Sequence, residues 1–257
     1  MRTICSVLHG VPAKNDAPVI ASMSPVFPGI VEPLAYESWI LAGGPEALTG
    51  ISQNLVLTPS AAQPIFGTAS MTIPEGRNGL HTGLYERDVR SWGFVYKNVN
   101  PMSNGRHFIG NDRGTSIPIA ERDGVIAFQS VTDSPITINQ RRSSAGTLFS
   151  GVSGLSDQYL FIGFSIDPVE SGYAAYIHGV GMNTASRAGD TFVQSETRQL
   201  TLGNVHYAPQ AQNAPYDAAT EYCELHAFKI IPTLEQWRLI AQRAVNRCAL
   251  KGIEVYS

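Results

Sequence analysis

An all-β sandwich closed by one C-terminal helix is the architecture this sequence predicts, and three observations predict it. Charged residues make up only 15% of the chain, 24 glycines and 16 prolines punctuate it, and the apolar runs between them are short. Low charge with frequent turn residues is how many short strands joined by tight connections read. One segment near the end repeats instead at helical spacing. Evenly spaced strands with a single terminal helix indicate a β-sandwich of the jelly-roll type. At 257 residues the chain is long enough to bury a substantial core without disulfide or metal staples.

Residues 1–35 open the chain with Pro12, Pro18, Pro25, Pro28 and Pro33 among Val, Ile and Phe. Proline fixes φ and removes a backbone donor, so this composition predicts an extended arm rather than a packed element. The sandwich is expected over 36–257. Strand candidates follow in order: "ASMTIP" (69–74), "SWGFVYKNV" (91–99), "RHFIGN" (106–111), "GVIAFQSV" (124–131) and "SPITINQ" (134–140). The second half adds "QYLFIGFSI" (158–166), "GYAAYIHGVG" (172–181), "RQLTLGNV" (198–205) and "EYCELHAFKII" (221–231). In "SWGFVYKNV" the aromatics Trp92, Phe94 and Tyr96 alternate with Gly93, Val95 and Lys97, which predicts an aromatic face turned inward.

The helix begins after Thr233, which pairs with Gln236 as a capping box, and Leu234, Trp237, Ile240, Ala241 and Ala244 recur along one side. Because it follows a strand directly, it is expected to lie as a lid on a sheet edge or face.

Charge and cysteine content exclude several functions. With 18 basic against 21 acidic residues the formal charge is −3, which gives no electrostatic case for a nucleic acid partner. No apolar run reaches the roughly 18–20 residues needed to span a bilayer, so no membrane insertion is expected. "TICSVLHGV" (3–11) is interrupted by His9 and Gly10 and is not followed by a small-residue cleavage site, so no signal peptide is expected. Cys5, Cys223 and Cys248 are too few and too scattered for a disulfide framework or a cysteine zinc site, and they read as reduced.

The last third carries a resemblance. "AAYIHGVG", then "RQLTLGN", then "EYCELHAFKIIPTLEQWRLIA" is similar to the ending of a laminin-G-like, concanavalin A-like jelly roll. Tyr176 and Gly179 stand at a Tyr-x-x-Gly strand end. Leu200, Leu202, Gly203 and Asn204 stand at the next strand, and Glu224 and Phe228 at a Glu-led strand before the helix. The match covers about 175–240, and 36–170 only by strand pattern. The proline-rich arm departs from the family, as does the lack of a Phe-x-Gly before the Glu-led strand. The resemblance implies a concanavalin A-like jelly roll, with Tyr176 packed between the sheets and Gly179 permitting the turn; ligand stacking by Tyr176 is the alternative.

Catalytic patterns are missing from the residues. Polysaccharide-cutting members of the fold family carry a Glu-x-Asp-x-x-Glu strand that places two carboxylates on one face, and no segment has that pattern. Glu221 and Glu224 are nearest, but a spacing of three on a regular strand sends them to opposite faces. No Gly-x-Ser-x-Gly elbow, Walker loop or His-Glu-x-x-His is present. The chain is therefore expected not to be an enzyme and to need no cofactor. "GNDRGTS" (110–116) groups Asn111, Asp112 and Arg113, which read either as a calcium-binding turn or as ordinary Asx turn chemistry. The stretch 204–222 interleaves Tyr207, Tyr216 and Tyr222 with amides and small residues, a composition that sugar- or protein-binding loops use. Tyr207, Tyr216 and Asn204 are the candidate ligand-binding residues, against a reading of the same loop as a structural cover.

Three functions follow as expectations. Domains of this fold usually act outside cells, while no secretion signal is visible. The first expectation is therefore a bacteriophage virion component (tail, fibre or capsid decoration), located in the particle and assembled in the host cytoplasm. Its arm would contact other virion proteins and build a homo-oligomer, and a surface glycan is a further partner. The second is a carbohydrate-binding module without a virion role. A polysaccharide hydrolase or lyase is the third.

Overall fold

The computed structural model describes residues 31–99, 105–111, 118, 123–130, 136–140, 147–149, 154–167, 172–186, 193–204, 207 and 217–257. Two antiparallel sheets stack face to face. The first has the order β13 (Gly181–Ser186), β12 (Gly172–Ile177), β11 (Tyr159–Asp167), β6 (Ser91–Lys97), β15 (Thr220–Phe228), β4 (Met71–Ile73), β3 (Ile65–Phe66), with β1 (Glu37–Ile40) also paired to β15. The second runs β10 (Thr147–Phe149), β9 (Ile136–Gln140), β8 (Val125–Gln129), β7 (Arg106–Gly110), β14 (Thr201–Gly203), β5 (Gly79–His81), β2 (Thr58–Pro59). A helix, α1 (Leu234–Ala249), follows β15.

Apolar side chains meet between the sheets. Trp92, Phe94 and Tyr96 of β6 enter this core as the alternation predicts, and Phe108 of the facing β7 lies 5.5 Å from Phe94 and 4.8 Å from Tyr96 between ring centroids. Burial of such rings is the main favourable contribution to the sandwich.

A second apolar layer lies on the other side of the first sheet, beneath α1. Val95, Phe161, Tyr176, Cys223 and Phe228 of the sheet pack there with Trp237, Ile240, Ala241, Ala244 and Cys248 of the helix. Thr233 caps the helix with both bonds of the capping box formed, as the sequence indicates. Trp237 presses onto the sheet where β6 and β11 each supply a glycine. A Cβ on Gly163 would come within 2.5 Å of the indole, and one on Gly93 within 3.2 Å. The two glycines let the indole sit directly on the backbone.

This layer corrects the expectation for Tyr176. Its ring stacks on Trp237 at 6.4 Å and an interplanar angle of 5°, so it packs under the helix and not between the sheets. Alternation along β12 settles the side: Tyr173, Ala175 and Ile177 take the inter-sheet positions and Tyr176 takes the other face. His178 follows on the same face, its Nδ1 2.9 Å from the Tyr176 hydroxyl. Gly179 has φ +76° and makes the turn, as expected of a residue there.

A charged cluster ties α1 to the rest. Arg247 donates to both oxygens of Glu224 on β15 at 2.7 and 2.8 Å, and His226 lies 3.1 Å from Glu224 and 2.9 Å from the Ser38 hydroxyl of β1. Arg243 pairs in bidentate fashion with Glu32, which also lies 3.6 Å from Arg247. Glu32, at 1% exposure, belongs to the stretch of the expected arm that is described.

Candidate functional site

Helix α1 covers the outer face of the first sheet. Among the described residues no helix covers the outer face of the second, where Ile126 and Thr201 are buried and His81 is partly exposed. β5 and β14 are neighbours in that sheet, with His81 opposite Thr201 and Leu80 opposite Leu202. Leu80, Leu200 and Leu202 point into the core. Alternation therefore turns His81 and Thr201 outward.

Tyr207 comes to rest beside them. It is half-buried, its hydroxyl donates to the Gln199 carbonyl at 3.0 Å, and the same oxygen lies 3.5 Å from His81 Nδ1. The His81 and Tyr207 ring centroids are 6.3 Å apart, and the Arg198 guanidinium lies 5.8 Å from the Tyr207 ring centre. Burial raises the Tyr207 phenol to about 12, so it is a neutral hydrogen-bonding group at any physiological pH. Burial lowers His81, which favours the neutral imidazole.

The surrounding residues hold this cluster still. Arg198 donates through Nε to the Asn111 carbonyl at 2.7 Å and through Nη2 to Asp123 at 2.6 Å, and its backbone N–H donates to Ser195 Oγ at 3.2 Å. The Gln199 side-chain oxygen accepts from Gly83 N–H at 2.7 Å. Ser195 N–H in turn donates to Glu86 at 3.2 Å. The result is a half-buried aromatic ring beside an imidazole, a guanidinium and the Gln199 main-chain carbonyl, next to β5 and β14.

The other expected residues fall as follows. Asn204 is buried: its side-chain oxygen accepts from His107 N–H at 2.8 Å, and its amide donates to the Ala218 carbonyl at 2.9 Å. The bond to Ala218 ties the start of the 205–216 connection to the segment after it, and the bond from His107 fixes Asn204 to β7. Tyr216 lies outside the described residues, as do Asp112 and Arg113. Asn111 has its side-chain oxygen accepting from Val125 N–H at 3.0 Å and its amide donating to the Arg198 carbonyl at 3.1 Å, bonds that tie it into the sheet. Among the described residues no group of three or more His, Cys, Asp or Glu side chains is placed to hold a metal ion.

The sequence reading missed His81, Arg198 and Gln199. Gln199 had a usable signal, since Leu200 and Leu202 define the inward positions of that strand. His81 had none, because it meets Tyr207 only through the pairing of β5 with β14.

Glu221 and Glu224 also correct an expectation. The pairing of β15 with β6 shifts register between Tyr222 and Glu224, and this bulge brings both carboxylates to the helix side. Glu224 meets Arg247, while Glu221 accepts from the Tyr159 hydroxyl at 2.7 Å and from Ser70. Tyr159 packs against the helix-side layer. The two carboxylates thus share one face, each held by its own partners.

No protein-family model matches the sequence, and no curated protein sequence matches it. Solved structures do share the fold. A Trypanosoma rangeli sialidase in complex with sialic acid superposes with a TM-score of 0.54 at 9% identity over 83% of this chain and 34% of that one. The same enzyme with a difluorinated KDN ligand gives 0.55 at 9% over 83% and 33%. The Ruminococcus gnavus IT-sialidase CBM40 bound to alpha2,3 sialyllactose gives 0.49 at 12% over 68% and 95%. The chain spans about a third of the length of the sialidases it matches.

The sialidase likenesses show the fold, the β-sandwich that the resemblance implied. They also correct the expectation that the chain is not an enzyme, because sialidases are enzymes and the fold match extends to them. The expectation rested on the absence of a two-carboxylate strand, a Gly-x-Ser-x-Gly elbow, a Walker loop and a His-Glu-x-x-His motif, which test a few chemistries and leave the others open. The sialidase and CBM40 structures lend no support to the virion expectation.

Proposed function

We propose that the chain is a carbohydrate-binding, lectin-like domain whose ligand rests against Tyr207 on the outer face of the second sheet. The observation that supports it is the partly exposed cluster of Tyr207, His81, Arg198 and the Gln199 main-chain carbonyl beside β5 and β14. A sugar ring offers an apolar C–H face and a rim of hydroxyls, and a half-exposed aromatic ring edged by polar groups complements both. Tyr216, from the same connection, is the second tyrosine of this proposal. Asn204 acts from below, by joining the two ends of the connection that carries both tyrosines.

The sialic acid in the sialidase structure makes sialylated glycans the first probes to try, with neutral oligosaccharides beside them. The test is a glycan array followed by calorimetric titration of the full chain and of Tyr207→Ala. Loss of a stacked ring is expected to weaken binding by about tenfold or more, roughly 1.5 kcal/mol. Equal affinity in the variant, or no glycan bound by the natural chain, would remove the proposal.

A further inference from the structure

Segment 194–199 carries Arg198 and Gln199 to the Tyr207 cluster and lies outside the described strands. Both ends are fixed: the Val193 carbonyl accepts from Gly124 N–H at 3.0 Å, and Leu200 N–H donates to the Leu84 carbonyl at 2.6 Å. Its middle rests on Glu86, whose Oε1 accepts from Ser195 N–H at 3.2 Å. Glu86 is 4% exposed, and among the described residues its Oε2 meets no donor. The same side chain lines a cavity of about 10 Å³, room for one water molecule. Trp92, Val125, Ile166 and Leu200 give that cavity an apolar wall, and Arg90 and Gln194 line it as well. A carboxylate oxygen without a donor in such surroundings is costly once it is charged. The cost is relieved either by a proton on the carboxyl or by water reaching it.

We propose that Glu86 is a proton-controlled latch on segment 194–199. Protonated, the carboxyl stays beneath the segment in the closed arrangement. Ionised, it favours an open arrangement in which the segment lifts at Gln194 and water enters the cavity. Burial, the largest influence, raises this carboxyl from near 4.5 to about 7; Asp123 adds to the rise, while Asn111, Ser195 N–H and Arg198 offset it in part. In the open arrangement the carboxyl returns toward its ordinary value, so opening becomes easier as pH rises from about 4.5 to about 7. The charged groups around Glu86 have defined places. Arg87 pairs with Glu196 at 3.2 Å, the Asp88 carboxylate accepts from Tyr85 N–H at 2.8 Å, Arg198 pairs with Asp123 at 2.6 Å, and Arg90 lines the cavity. β6, β8 and β11 present only Trp92, Val125 and Ile166 to it. The consequence for binding rests on the carbohydrate reading above: because Arg198 and Gln199 ride on the latched segment, a ligand at Tyr207 is held more tightly at low pH than at high.

Hydrogen exchange of the full chain, read by mass spectrometry at pH 5 and pH 8 and corrected for the intrinsic pH dependence of amides, tests the latch with no ligand present. Protection over 194–199 is expected to fall by about tenfold or more between the two, and to stay level in Glu86→Gln. No loss over 194–199, an equal loss in peptides from β11, or a loss that persists in Glu86→Gln would overturn the proposal. The variant also separates Glu86 from His81, which burial lowers and which stays in place. Calorimetric titration with sialyllactose tests the consequence: affinity in the natural chain is expected to be several-fold higher at pH 5 than at pH 8, with that difference reduced in Glu86→Gln. Equal affinity at both pH values beside a pH-dependent exchange would overturn the control of binding. Absence of sialyllactose binding at either pH counts against the carbohydrate reading, while the exchange result still decides the latch.

Discussion

Glu86 and Glu224 are both buried carboxylates, and their surroundings move them in opposite directions. Burial raises Glu86 from near 4.5 to about 7, only partly offset by hydrogen bonds from Asn111 and Ser195. Burial also acts to raise Glu224, but the Arg247 guanidinium and His226 outweigh it and hold the carboxyl below the usual range. The signs follow from which state binds the proton more tightly. For Glu86 the folded state does, so its stability contribution is complete below about pH 4.5 and is lost as pH rises to about 7. For Glu224 the contribution is present above the unfolded value and is lost as pH falls toward the folded one. Replacing Glu86 by Gln is expected to remove the first dependence, a gain of about 3 kcal/mol at pH 8 and little change at pH 4.5. Urea unfolding of both proteins at the two pH values measures it. An equal change at both pH values would show that Glu86 acts by packing and not by its proton.

At the scale of elements, α1 was legible in its cap and its apolar spacing because both are local properties of a few residues. The place where it docks was not. Trp237 lies over Gly163 and Gly93, on strands far apart in sequence, and only the β6 and β11 pairing sets them side by side. β6 is legible from its alternation and β7, β8, β11 and β15 as short apolar runs bounded by turn residues, whereas β2, β3 and β5 are two or three residues long and carry no periodicity to read. The bulge in β15, which brings Glu221 and Glu224 to one face, belongs to its pairing with β6 and leaves no mark in the local sequence. The Trp237 contact predicts a specific coupling. Gly163→Ala is expected to cost about 1–3 kcal/mol by overpacking the indole, and most of that cost should vanish when Trp237 is replaced by Phe. Additive losses in the double-mutant cycle would place the strain of Gly163→Ala elsewhere.

For the whole molecule, the question is where the folded body begins. Composition separated a proline-rich segment, residues 1–35, and we propose that it serves in contacts with other copies or other proteins. Glu32 complicates any cut within it, because its carboxylate is the partner of Arg243 and lies beside Arg247. A chain starting at Tyr36 would leave Arg243 without that partner and Arg247 with Glu224 and His226. The Tyr36 N–H to Ala227 carbonyl bond at 2.7 Å marks where strand pairing starts, but the charged cluster reaches further back. Removing one side of a buried pair leaves a charge that must be desolvated without compensation. The chain beginning at Tyr36 is therefore expected to lose roughly 3 kcal/mol relative to one beginning at Val31, and Glu32→Gln in the full chain should reproduce most of that loss. Light scattering on the same proteins separates stability from assembly. A particle of several chains that becomes a folded monomer when the chain starts at Val31 would assign assembly to residues 1–30. An unchanged mass would remove the arm from that role while leaving the Glu32 contribution to stability intact.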